Sequence, residues 1–151
     1  MGVLNNAGAF TKSAFGVTVN KAYTPLVVET KTLFTVSGLC LVTSIFGLVT
    51  TAITVANTVK LQANPTTGTT KDLCAATDIG TTDTPAGNLI SFQGLTGDSL
   101  LTGPGAVPTI KQPIAIAAGT IEQVTATGAD GGITWYLTYV PVATGATIVA
   151  A

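Results

Sequence analysis

Residues 132–141, with the sequence GITWYLTYVP, carry the clearest structural signal in the chain. Large apolar side chains and threonines alternate along this stretch: Ile133, Trp135, Leu137 and Tyr139 in one set, and Thr134, Tyr136 and Thr138 in the other. Because successive side chains of a strand point to opposite faces, this period of two predicts a strand with one apolar face. The preceding GADGG at 128–132 is typical of a hairpin turn, and Pro141 ends the strand.

Similar patterns recur upstream, beginning at Pro25. Residues 28–36 alternate like a half-buried strand, and residues 39–50 are apolar on both faces. We assign the side chains of this second stretch to two faces: Leu39, Leu41 and Ile45 on one, and Cys40, Val42, Phe46 and Leu48 on the other. A third strand follows, with Ile53, Val55 and Val59 facing one way, and we expect these three to pack near Trp135 and Leu137 in the core.

The remaining segments are short and separated by loops rich in Thr, Asp, Gly and Pro, giving about eight or nine strands in all. This spacing predicts an all-β fold, an antiparallel β-sandwich that we expect to be jelly-roll-like, over residues 25–151. Residues 1–24 are polar and carry the isolated aromatics Phe10, Phe15 and Tyr23. They are interpreted either as an extended N-terminal arm that docks on a partner or as a terminus that packs on its own domain.

The chain has 151 residues, and only 9% of them are charged, against about 25% in an ordinary soluble domain. Residues 33–56 carry no charge and would be long enough to span a membrane. We nevertheless expect no membrane segment, because Gly38 and Gly47 interrupt this stretch and β-branched residues dominate it. With only two cysteines, Cys40 and Cys74, we favour two buried thiols over a disulfide.

No catalytic constellation can be assembled from this sequence. Histidine and arginine are absent, and no nucleotide-binding or nucleophile motif is present. We therefore expect a protein that is not an enzyme and needs no cofactor. The six lysines are scattered, so nucleic acid is not an expected partner.

Two further kinds of site were weighed against simpler interpretations. Asp72, Asp78 and Asp83 could ligate a hard cation such as Ca²⁺, but their spacing matches no EF-hand loop, and turn residues are the simpler interpretation. Trp135 and Tyr139 could stack on a sugar or base, although a period-two pair on a strand more often lies in the core.

Surface contacts therefore remain as the expected function. A domain with so few charges can bury much of its exterior against neighbours, since obligate interfaces resemble a core cut in half. The contact residues we predict are Phe10, Phe15 and Tyr23 in the arm and Val42, Phe46 and Leu48 on the two-sided strand. We expect a symmetric homo-oligomer, a trimer.

The sequences LVTSIFGLVTT at 41–51, GTIEQ at 119–123 and GITWYLTYVP at 132–141 resemble those of capsid decoration, or cement, proteins of tailed bacteriophages. The resemblance covers much of residues 33–142 and rests on overall pattern. It implies a β-sandwich or jelly-roll trimer on the head exterior of the virion, made in the bacterial host cytoplasm. Such trimers clamp neighbouring subunits of the major capsid protein, and the family supplies no catalytic residues. The alternative is a tail, baseplate or head-fibre protein that binds the host surface.

Overall fold

A computed structural model describes residues 14–128 and 130–151 of the chain. Twelve strands lie within these residues. They are β1 (Val17–Tyr23), β2 (Thr30–Ser37), β3 (Cys40–Thr51), β4 (Thr58–Pro65), β5 (Lys71–Asp72), β6 (Thr77–Asp78), β7 (Asn88–Ser91), β8 (Leu101–Pro104), β9 (Ile114–Ile116), β10 (Gly119–Thr125), β11 (Gly132–Pro141) and β12 (Thr147–Ala150). The prediction of an all-β fold is confirmed.

The strands form two antiparallel six-stranded sheets. Sheet A has the order β1-β11-β3-β7-β8, with β9 also paired to β3, and sheet B has the order β12-β2-β10-β4-β5, with β6 also paired to β4. The first four strands alternate between the sheets, so that each of these connections crosses the sandwich. The longest pairing joins β3 to β11 over the full length of the predicted strand at 132–141.

The core lies between the sheets and is centred on Trp135. Trp135 and Leu137 are fully buried, together with Ile53 and Val59, as the sequence predicted. The prediction that Val55 packs in the core is wrong, because 49% of its surface is exposed. The chain leaves the sheet between β3 and β4, where the Asp130 carboxylate accepts hydrogen bonds from the backbone N–H groups of Thr54 and Val55.

Gly47 makes room for the indole in the middle of β3. It pairs with Trp135, and a Cβ atom at Gly47 would lie 2.8 Å from Cγ2 of Ile133 and 3.2 Å from the Trp135 ring. The first distance is shorter than real Cβ contacts and the second is tighter than most of them, so the absence of a side chain at residue 47 allows Ile133 and the Trp135 ring to pack here. The glycine that interrupts the apolar stretch in sequence is thus a packing feature of a continuous strand.

Strand β1 lies within the stretch assigned above to an arm. Its seven residues pair in register with β11, from Val17 opposite Tyr139 to Tyr23 opposite Ile133. Lys21 donates a hydrogen bond to the carbonyl of Ala151, which ties this edge of sheet A to the end of sheet B. Residues 17–23 are therefore part of the sandwich, and the boundary predicted at residue 24 falls after its first strand.

The uncharged stretch at 33–56 is divided between β2 and β3. Among the residues that the structure describes, none forms a helix long and apolar enough to cross a membrane.

Candidate assembly surface

A bulge in β3 decides which of its side chains face outward. Val42 pairs with Tyr139 and Ser44 with Thr138, so Thr43 is an extra residue on this strand. Its hydroxyl donates to the carbonyl oxygen of Thr138 at 3.2 Å. An extra residue reverses the alternation of the side chains that precede it.

The common face predicted for Val42, Phe46 and Leu48 is therefore split. Val42 is 1% exposed and packs in the core, whereas Phe46 and Leu48 are half-buried on the outer face of sheet A. Val42 cannot contact a partner without unfolding of the sandwich, but Phe46 and Leu48 can.

The outer face of sheet A is aromatic and aliphatic at its centre. The rings of Phe46 and Tyr136 stack with their centroids 5.4 Å apart and an interplanar angle of 16°. Leu48 lies beside them, paired with Thr134 on one side and Leu89 on the other. The outward positions of strands β1, β11, β3 and β7 include Thr18, Asn20, Ala22, Leu41, Ser44, Phe46, Leu48, Leu89, Thr134, Tyr136, Thr138 and Val140. None of these residues is charged.

The apolar surface continues around one end of the sandwich. Leu41 pairs with Val140 at this end, and the backbone N–H of Val142 donates to the carbonyl oxygen of Leu39 at 3.0 Å. The side chains of Leu39 and Val142 are exposed, and so is Phe15, at 77%, just before β1. This end therefore adds apolar area to the outer face of sheet A.

The outer face of sheet B has the opposite character. Lys60 and Asp72 form an ion pair at 2.7 Å, and the Glu122 carboxylate accepts hydrogen bonds from Gln62, Asn64 and Thr120. Burial raises the pKa of Glu122, but these three hydrogen bonds outweigh burial and hold its pKa below the ordinary value. A face with satisfied charges is suited to contact with water.

The three aromatic residues predicted as contacts of the N-terminal arm do not share one environment. Phe10 lies outside the described residues. Tyr23 is 4% exposed, and its hydroxyl donates to the carbonyl oxygen of Val27 at 3.0 Å. Burial raises the pKa of this phenol, as it does for the Cys74 thiol, whose pKa rises to about 11. Tyr23 thus belongs to the core and is not a partner contact, because it occupies an inward position of β1. Of the three, Phe15 alone is a described and exposed side chain.

The acidic residues considered for a cation site do not come together as a set. Asp72 pairs with Lys60, while Asp78 and Asp83 line a cleft of about 230 Å³ near β6. The Asp78 carboxylate already accepts hydrogen bonds from the Thr81 hydroxyl and the backbone N–H groups of Gly80 and Thr81, which lower its pKa. Within residues 14–128 and 130–151, no group of three or more Asp, Glu, Cys or His residues could hold a metal ion.

The aromatic pair considered for stacking on a sugar faces the core. Trp135 and Tyr139 are both buried, so neither presents a ring to a ligand. Cys40 and Cys74 are free, buried thiols, as predicted.

An apolar slot lies between the sheets at the edge opposite β1, and sequence reasoning missed it. It measures about 200 Å³ and lies between β9 and the β4–β5 pair. Ile114 and Ile116 gave a strand signal in the sequence, but a cavity depends on the distance between two sheets, which no local pattern encodes.

No protein-family model, curated protein or solved structure matches this chain. Its function must therefore be inferred from its surface.

Proposed function

We propose that this protein is a capsid decoration, or cement, protein of a tailed bacteriophage. In this proposal it binds the head exterior as a homo-oligomer, a trimer, and stabilises contacts between subunits of the major capsid protein. The observation that carries the proposal is the contrast between the two outer faces of the sandwich. One face is uncharged with a stacked Phe46–Tyr136 pair at its centre, and the other carries Glu122 and the Lys60–Asp72 ion pair.

This contrast suits a protein that lies on a larger surface. Exposed, contiguous apolar patches on a small domain commonly mark an interaction site. At about 3.3 Å along a strand and 4.8 Å between strands for each residue, strands β1, β11, β3 and β7 give the outer face of sheet A an area of roughly 500 Å². This area is more than half of the roughly 800 Å² per partner of a standard stable interface. The adjoining end of the sandwich, with the exposed Leu39 and Val142, supplies further apolar area.

The mechanical role of a cement protein also matches the composition of this chain. Packaged DNA loads a capsid from within, and a cement protein opposes this load by burying additional area across the joints between capsomers. Such a protein needs rigid strands and complementary faces, and it needs no catalytic pocket. Hydrophobic burial contributes roughly 25 cal/mol per Å², so an uncharged face is an efficient source of binding energy.

A jelly-roll connectivity is part of the proposal. The strand orders β1-β11-β3-β7 and β2-β10-β4-β5 support it, because they can be drawn as two four-stranded sheets joined by Greek-key connections. This architecture recurs among viral capsid domains, and by analogy it supports a virion role. In the same proposal the N-terminal arm is shortened to the residues that precede β1.

Cryo-EM of particles with and without the protein tests this function. We expect density for the sandwich on the outside of the shell at local threefold positions, with the outer face of sheet A toward the major capsid protein. Sandwich density confined to a tail or fibre, together with binding to host cells, would favour the alternative of a host-binding virion protein.

A further inference from the structure

The apolar slot between the sheets has a lining of definite chemistry. Its walls are mainly the aliphatic side chains of Ala63, Pro65, Leu73, Ile114 and Ile116, and the exposed Lys71 stands at its rim. Its volume of about 200 Å³ exceeds the roughly 150 Å³ of a cavity that accommodates benzene. A single aromatic ring is therefore an occupant of suitable size.

Phe15 is an exposed aromatic side chain in the part of the chain that the structure describes. It is 77% exposed and lies two residues before Val17, the first residue of β1. The segment from Ala14 to Val17 carries no charge, so nothing in it opposes insertion into an apolar slot beside Lys71.

Phe15 and the slot lie at the same level of the sandwich on opposite edges of sheet A. One cross-strand row joins Val17 to Tyr139, Tyr139 to Val42, and Val42 to Ile114 at the slot. This row spans three strand spacings, or about 14 Å. Strands β11 and β3 thus separate Phe15 from the slot of its own molecule, whereas a second copy placed edge to edge can offer its slot directly.

We propose that Phe15 of one copy fills the slot of a second copy, joining the β1 edge of the first to the β9 edge of the second. This inference rests on the homo-oligomer of the proposed function and names its contact. The aromatic ring buries its faces against the aliphatic walls, and the Lys71 ammonium at the rim can lie over the ring as a cation–π partner. Because the two contact surfaces differ, the junction is head-to-tail, and repetition about an axis closes a ring such as a trimer.

Sedimentation velocity of the full-length chain in the absence of capsids tests the junction. We expect the wild-type protein to sediment as an oligomer at micromolar concentration. Phe15→Ala removes the inserted ring, and Ala117→Glu places a charge in the slot lining. Each variant should weaken self-association by at least about 30-fold, as loss of an interface hot spot does. Val28→Ala, which shortens an exposed apolar side chain at the opposite end of the sandwich, is the control and should assemble like wild type.

Mixing the two defective variants gives the sharper result. Phe15→Ala retains an intact slot and Ala117→Glu retains an intact Phe15, so an equimolar mixture should form a heterodimer with one working junction. A monomeric wild type, undiminished assembly of either variant, or a mixture that stays monomeric would each overturn the proposal. Circular dichroism of each variant establishes that it is folded. Capsid binding is measured separately. An oligomer that does not bind capsids would contradict the cement function without contradicting the proposed junction.

Discussion

The indole N–H of Trp135 in sheet A donates a hydrogen bond to Oε1 of Gln123 in sheet B at 2.8 Å, directly across the core. Both residues are fully buried, and Nε2 of Gln123 donates in turn to the Thr125 hydroxyl at 3.0 Å. Side chains from the two sheets are thus joined by a polar contact inside a largely apolar core, where an unpaired acceptor would be costly.

Trp135→Phe should destabilise the protein although it preserves an aromatic core residue. The substitution leaves Oε1 of Gln123 without its donor and opens a small cavity, for a combined cost of about 2–4 kcal/mol in the free energy of unfolding. Urea denaturation measures this loss. Tyr136→Phe, one position along on the outer face, is the control and should change stability by less than about 0.5 kcal/mol. Equal stability of both variants would show that the contact across the sheets contributes nothing.

Gly47→Ala should be destabilising even though alanine is only one carbon larger. The added Cβ would lie 2.8 Å from Cγ2 of Ile133 and 3.2 Å from the Trp135 ring, so the Ile133 side chain, the indole or the strand must shift. Overpacking of this kind costs about 1–3 kcal/mol. Thermal unfolding measures this loss. Gly87→Ala is not a suitable control, because Gly87 has a positive φ, a conformation that alanine rarely adopts. Gly97→Ala, with open space around the new atom, is the better control and should melt near the wild-type temperature.

The stability of the fold should decrease in acid. Hydrogen bonds, first from the Thr81 hydroxyl and then from backbone N–H groups, lower the pKa of Asp78 in the folded state. A lowered folded pKa stabilises the protein above the unfolded pKa, about 3.9 for Asp, and this contribution is lost as pH falls toward the folded value. The melting temperature should therefore drop below about pH 4. Asp78→Asn should melt lower at neutral pH and show a shallower decline, and an unchanged acid profile in this variant would contradict the assignment.

The strands that could be predicted from sequence are those with a clear period of two. The alternation of apolar and polar side chains located β11 and β2. The absence of histidine from the sequence excluded a site built on that residue. Strand β1 was assigned to an arm, although Val17, Val19 and Tyr23 occupy alternate positions. Lys21 interrupts that pattern because its long side chain leaves the inward position and reaches Ala151.

The candidate surface could be predicted only in part. Phe46 and Leu48 were identified, but Val42 was placed with them because nothing local marks Thr43 as a bulged residue. A bulge is defined by the partner strand, here by Thr138 and Tyr139 of β11, which lie about a hundred residues further along the chain. The buried amide of Gln123 was missed for the same reason, since its partner belongs to the other sheet.

Substitutions on the two sides of this bulge should separate folding from binding. Val42→Asp places a charge in the core and should prevent folding, because an unpaired buried charge is too costly. Leu48→Asp places the charge on the outer face of sheet A, so the protein should fold but lose capsid binding in a co-sedimentation assay. Thr35→Asp, at an exposed position of β2 in sheet B, should fold and bind normally. Full binding by Leu48→Asp would remove this face from the proposed interface.

Heat-induced genome release measures whether the protein stabilises the capsid. DNA-filled particles that lack the protein are mixed with wild-type protein, with Leu48→Asp or with buffer, and heated in the presence of a DNA-binding dye. We expect wild-type protein to raise the temperature at which dye fluorescence appears, and Leu48→Asp to leave it at the value for undecorated particles. Identical release temperatures for undecorated particles and particles saturated with wild-type protein would rule out a cementing role.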